Sequence, residues 1–183
     1  MGLSNNTGQA MTYVKCDATK ALFQKQEKVN GIWESTDTYN NLDGTIKEVR
    51  LDSYEYKNEL KKKLVIILSD GPELFKVDIN LNGVAKSIIN TLASELEFMG
   101  SQLSLSLYMK GEYCRVAILI DDRRGDWRIK GDDLKAMDSD IKWVKLFDKF
   151  IKPQNDEFQE KNAHTQSAEP VAASSETEDD LPF

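Results

Sequence analysis

ELFKVDINLNGVAKSIINTLASELEFMGSQLSLSLYMKGEYCRVAILI, residues 73–120, changes its periodicity twice. Phe75, Val77, Ile79 and Leu81 alternate with Lys76, Asp78 and Asn80, the period of a strand with one wet face. Val84, Ile88, Ile89, Leu92 and Leu96 then recur at helical spacing, which predicts a helix over residues 84–98 stopped by Gly100. Alternation returns afterwards. Leu103, Leu105 and Leu107 interleave with Ser104, Ser106 and Tyr108. Beyond a Lys110-Gly111-Glu112 turn, Cys114, Val116, Ile118 and Ile120 interleave with Tyr113, Arg115, Ala117 and Leu119.

Upstream, residues 20–81 are punctuated like a β-meander. Asn30-Gly31 permits positive φ at both central positions of a two-residue hairpin. Asp43-Gly44 ends the next link, and Asp70-Gly71-Pro72 separates KKLVIILS from ELFKVDINL. Downstream, DRRGDWRIKG (122–131) is a charged loop, and Ile141, Val144, Phe147, Phe150 and Ile151 fit an amphipathic helix over 138–151. Hairpin strands, one helix and two further strands form the order of an OB-fold β-barrel, with an α+β sandwich as the rival. The predicted class is therefore mostly β, with one central and one C-terminal helix and a disordered acidic tail. Its parts are a flexible arm (1–18), the barrel domain (19–152) and the tail (153–183), which is poor in core formers.

Charge follows these boundaries. Residues 153–183 hold eight acids and one base, Lys161, leaving 23 acids and 23 bases in residues 1–152. The net charge of −7 thus belongs to the tail, and the body is neutral. No apolar run approaches the ~20 residues of a membrane span, and no secretory leader is legible, so a cytoplasmic location is expected. Cys16 and Cys114 form no CxxC pair, and the one histidine, His164, lies in the tail. No metal centre, cofactor or Cys-His or Ser-His catalysis is expected from that inventory. Asp78-Ile79-Asn80-Leu81-Asn82-Gly83 copies half an EF-hand loop, but the twelfth position is Ile89 where a bidentate Glu is required.

The chain ends Glu178-Asp179-Asp180-Leu181-Pro182-Phe183. This resembles the acidic tip of bacterial and phage single-stranded DNA-binding proteins, which likewise follows a disordered linker. The helix leading into Gly100-Ser101-Gln102 and then two strands is a second likeness to that family. A hairpin around residues 22–39 departs from the bacterial pattern, which points to a divergent phage version in the host cytoplasm and leaves the family's tetramer, or another homo-oligomer, open. The resemblance implies a non-enzymatic, sequence-tolerant binder of single-stranded DNA that recruits replication, recombination and repair proteins through Asp179, Asp180, Leu181, Pro182 and Phe183. The tip also makes physical sense alone. A terminal carboxylate beside an aromatic ring fits a small apolar pocket with a nearby cation.

Such binding needs rings that stack on bases and cations that follow the phosphates. In TIKEVRLDSYEYK, Val49 and Leu51 share one face, and Arg50, Tyr54 and Tyr56 the other. Trp33 and Tyr39 have like parity on the preceding hairpin, Tyr113 and Arg115 point away from the Cys114–Ile120 face, and Arg123, Arg124, Trp127 and Arg128 crowd one loop. These eleven residues are the candidate nucleic-acid contacts. Two other classes compete: a metal-dependent nuclease built on Asp70, Asp121, Asp122 and Asp126, and an OB-fold adaptor that contacts proteins only.

Deleting the last six residues, or Phe183→Ala, is expected to leave single-strand binding intact or slightly tighter at low salt, since an anionic tether competes with phosphate. The same changes abolish capture of replication partners, as measured by pull-down with full-length and truncated protein. Identical partner lists would reduce the tip to a solubilising end.

Overall fold

A computed structural model of the protein describes residues 11–166. In chain order it contains β1 (Met11–Asp17), β2 (Leu22–Val29), β3 (Ile32–Tyr39), β4 (Asn41–Tyr56), β5 (Glu59–Asp70) and β6 (Glu73–Asn80). Helix α1 (Gly83–Leu92) follows, then β7 (Gln102–Lys110), β8 (Tyr113–Ile120) and a two-residue β9 (Arg123–Arg124). Three helices complete it: α2 (Gly131–Lys135), α3 (Asp140–Phe150) and α4 (Lys152–Gln166). The fold is mostly β. All nine strands join one mixed sheet in the order β3-β2-β1-β6-β5-β4-β7-β8-β9. Every ladder is antiparallel except β1–β6. Among the described strands no ladder closes the sheet into a barrel. No described helix is long and apolar enough to cross a membrane.

The alternation read from the sequence sets the inner face. Val77 and Ile79, Leu64, Ile66 and Leu68, and Leu103, Leu105 and Leu107 are buried in one cluster with Ile88, Ile89 and Leu92 of α1. Asn30 (φ 51°) and Gly31 (φ 85°) make the expected β2–β3 turn. Lys57 and Asn58, at φ 52° and 62°, make an equally tight β4–β5 turn that no glycine announces.

Four expectations are corrected. Residues 11–17 are not part of a loose arm. They form β1, paired with β2 on one side and β6 on the other, with Val14 and Cys16 buried. The helix stops at Leu92, well before Gly100. Ser94 Oγ donates to Thr91 O and Arg128 donates to Ala93 O, so side chains take carbonyls that another helical turn would need. Leu96, expected on the helix's apolar face, is 96% exposed. Gly44 ends no link. It lies inside β4, where a Cβ would sit 2.9 Å from Leu68 Cβ and 3.1 Å from Ser69 O, so glycine permits a close strand crossing. Finally, the chain is helical from Lys152 to Gln166, where the tail was expected to be disordered already.

That last helix is held by β4. The strand pairs with β7 over Asn41–Thr45 and with β5 from Thr45 to Tyr56. A bulge sits between Ile46 and Glu48, so Ile46 and Val49 both point inward and both are buried. Past Thr45 the β7 side of β4 has no ladder partner. Ile46 N–H instead donates to Ser101 O (2.9 Å), and Gly100 N–H donates to Ile46 O (3.0 Å). Helix α4 covers the rest. Val49 N–H donates to the buried Asn155 Oδ1 at 2.8 Å, and Gln159 Nε2 donates to Lys47 O at 2.6 Å. Phe158 lies against Gly100. The two hydrogen bonds are polar contacts that hydrophobic patterning does not reveal.

The sheet also curls. Asn40 Nδ2 donates to Ala21 O and Leu107 N–H donates to Asn40 O, linking the start of β2 to β7. Cys16 of β1 lies within electrostatic reach of Cys114 of β8. Burial first, then Cys114 and Asp17, pushes its thiol up to about 12.

Asn155→Ala leaves Val49 N–H buried without an acceptor and is expected to cost about 1–3 kcal/mol of stability. Denaturant unfolding of the full chain measures this. An unchanged midpoint would show that water replaces the amide and that α4 is not anchored there.

Candidate nucleic-acid interface

Opposite the core, the strands β1, β6, β5 and β4 present a second face. Register places Tyr13 beside Lys76, Lys15 beside Asp78, Lys63 beside Asn80 and Tyr54 beside Lys61. Tyr13 and Trp33 meet with ring centroids 5.0 Å apart, tilted by 58°. Lys76 Nζ lies 5.7 Å from the Tyr13 ring, and the Tyr56 ring is flanked by Lys57 and Lys61 at 5.3 and 5.5 Å. Tyr54 Oη donates to Asn80 Oδ1 at 3.2 Å, which fixes its ring. Trp33 and Tyr56 are each about half exposed, at 50% and 51%.

A cleft of about 470 Å³ runs between Trp33, Tyr13, Lys15, Lys76, Lys63 and Tyr54. A neighbouring cleft shares Lys15, Tyr54 and Asn80 and continues past Tyr56 and Lys61 to Ile141 and Lys145 of α3. Lys63 pairs with Asp78, and Lys61 with Glu59. Lys15, Lys76 and Lys145 have no acidic partner among the described residues.

Trp33, Tyr54 and Tyr56 are thus brought together as the sequence parity suggested. Tyr13, Lys15, Lys63 and Lys76 join them and were missed. Lys76 was legible, because it alternates with Phe75 and Val77 on a wet face. Tyr13 and Lys15 were hidden by the reading of residues 1–18 as an arm.

A second group gathers on the outward face of β7 and β8. Tyr108 pairs with Arg115, and Lys110 with Tyr113, whose ring lies 5.9 Å from the Arg115 guanidinium. Arg124 of β9 and Trp127 of the loop after it reach the same place, lining a cleft of about 920 Å³ with Tyr108, Lys110, Arg115 and Lys130. That loop is pinned to α1. Asn90, buried, accepts from Ile129 N–H at 2.8 Å and donates to Ile129 O at 2.9 Å. Gly125 lies so close to Thr91 that a Cβ would fall 2.2 Å from its methyl, and Ser94 Oγ donates to Asp126 O.

Four candidates stand apart from these clefts or are held by other groups. Tyr39 does not share Trp33's face. Between Gln24↔Thr38 and Gln26↔Ser35 the register shifts, which turns Tyr39 to the side of Phe23. Arg50 is held by Glu48 and, at 3.0 Å, by Asp52. Arg128 stacks 3.5 Å from the Phe150 ring centroid and donates to Ala93 O at 3.2 Å, so it fastens the loop to α3. Arg123 is exposed but pairs with the inward Ile120, away from the cleft that Arg124 lines.

The acids considered for metal chemistry make turns. Gln102 N–H and Ser101 Oγ donate to Asp121 and hold its carboxyl below the usual range. Lys130 and then Trp127 N–H do the same for Asp126. Among the described residues no three Cys, His, Asp or Glu side chains cluster as metal ligands would. The tip, Asp179–Phe183, lies outside the described residues.

Compared with known families, curated proteins and solved structures, the chain matches none.

Arg128→Ala is expected to lower stability by about 2 kcal/mol, through a lost charged hydrogen bond and a lost ring contact. Arg124→Ala, at an exposed position, should melt like the parent. Equal melting of the two variants would show that Arg128 fastens nothing.

Proposed function

We propose that the protein is a non-enzymatic, sequence-tolerant single-stranded DNA-binding protein that protects the strand and recruits replication, recombination and repair partners through its C-terminal tip. One observation carries this reading: four rings, Trp33, Tyr13, Tyr54 and Tyr56, line connected clefts on a single sheet face together with Lys15 and Lys76, which have no acidic partner there. Free bases stack on such rings whatever their identity, and lysines follow phosphates without reading sequence. Duplex DNA offers only stacked, shielded bases to the same face.

The strand order supports the same reading. From β4 to β8 the ladders run β4–β5, β5–β6, β4–β7 and β7–β8, with α1 between β6 and β7. That is the connectivity expected of an OB-fold's five strands. β1 then occupies the outer edge of β6, and β2–β3 widen the sheet by a hairpin that carries Trp33. A neutral body suits this function because affinity depends on where the cations stand rather than on their sum. The recruiting role rests on Asp179–Phe183 and their resemblance to the family's tip.

Titration of oligothymidylate against its duplex counterpart, followed by tryptophan fluorescence, tests the binding role. The single strand should bind far more tightly. If Lys15, Lys76 and Lys145 meet phosphates, log K should fall with log salt at a slope of roughly −2. Trp33→Ala and Tyr54→Ala should each cost ~1–3 kcal/mol of binding with little loss of folding stability. Equal affinity for duplex and single strand would overturn the reading.

A further inference from the structure

We propose that the β7–β8 cleft is a second, separate single-strand site, so that one molecule holds two stretches of single-stranded nucleic acid and bridges them. The proposal rests on the function argued above and extends it from one binding face to two.

Its first support is a repeated composition. Tyr108 and Trp127 stand 47% and 39% exposed at the cleft, and Tyr113 stands beside it. Lys110, Arg115 and Arg124 have no acidic partner among the described residues. The one acid of the lining, Asp126, is already taken by Lys130 at 2.6 Å and by Trp127 N–H at 2.8 Å. The surface therefore presents uncompensated positive charge between aromatic rings, which is what a single strand requires.

The second support is separation. The two faces share no lining residue. Tyr54 lies nine positions along β4 from Thr45, the last residue that pairs with β7. A short oligonucleotide seated on Trp33, Tyr13 and Tyr54 leaves Trp127 and Arg124 uncovered.

Rigidity is the third. A charged loop with no task would be solvated and loosely held. Here Asn90 grips both polar groups of Ile129, Arg128 is stacked on Phe150, and Gly125 lies flush against Thr91. These contacts fix the backbone on both sides of Trp127 before any ligand arrives, which lowers the entropy lost on binding.

Calorimetric titration of the full chain with an oligothymidylate of about eight nucleotides, short enough for one face, decides the matter. Two equivalents per chain are expected. Trp127→Ala combined with Arg124→Glu should leave one, and so should Trp33→Ala combined with Tyr54→Ala. Arg115→Glu, at an exposed position, serves as an independent variant of the second site, and thermal melting confirms that each variant is folded. One equivalent that the Trp127/Arg124 variant leaves unchanged would overturn the second site while leaving the binding function intact. A single equivalent weakened alike by both double variants would mean one continuous track, also against the proposal. Preference of the β7–β8 cleft for a peptide of residues 174–183 over the oligonucleotide would overturn it too. Failure of the parent protein to bind any oligonucleotide would remove the functional reading itself.

Discussion

Lys47 is one residue more than β5 can pair, and the consequences of that extra residue spread through the molecule. The bulge lets a sixteen-residue strand serve two neighbours, β7 at its start and β5 along the remainder. It also restores the parity of the inner face, so that Ile46 and Val49 are both buried although three positions apart. The same shift decides which residues of β4 look outward, and hence where Tyr54 and Tyr56 stand. Past Thr45, where β7 parts from β4, the strand's free edge has backbone groups without ladder partners. Asn155 and Gln159 answer two of them, and a helix that buries little apolar surface is thereby drawn onto the sheet.

Much of the fold was legible where one physical signal acted alone. Alternation located the outward Lys76 and the inward leucines of β7, and Asn30-Gly31 announced a turn by its tolerance of positive φ. The signals failed where two demands met in one residue. Gly44 looks like turn chemistry but serves a close crossing beside Leu68. Lys57-Asn58 turns the chain with both residues left-handed, and of the two only Asn58 is of a type that favours that conformation. β1 has only Val14 and Cys16 facing the core, too short a pattern to declare a strand before β6 is known to lie beside it. For the candidate site the pattern is similar. Parity placed Trp33, Tyr54, Tyr56, Tyr113 and Arg115 outward, while a register shift diverted Tyr39, and partners reachable only in three dimensions claimed Arg50 and Arg128.

Charge is organised on a finer scale than the neutral total of the body suggests. Many acids are matched one to one, as Asp78 is with Lys63, Glu59 with Lys61, and Asp126 with Lys130. Several of the cations left over stand near rings. Lys15 and Lys76 stand among the rings of one face, and Lys110, Arg115 and Arg124 among those of the other. Lys76 and Arg115 lie beside the rings of Tyr13 and Tyr113, where the charge is held close to apolar area and less fully hydrated than on an open surface.

The parallel ladder between β1 and β6 has a consequence for how the chain acquires its shape. Met11 meets Leu74, a separation of 63 residues, and the two strands that β1 joins are β2, its sequence neighbour, and β6, which is made much later. During synthesis β1, β2 and β3 are complete while the surface they will lie against does not yet exist. A three-stranded ribbon with Val14, Cys16 and Phe23 as its buried residues has little apolar area to stabilise it. Its edge stays open until β6 has been made, and only then can β1 dock there. Long-range parallel pairing of this kind slows folding, and the interval before docking is when β1 is most exposed to pairing with another nascent chain.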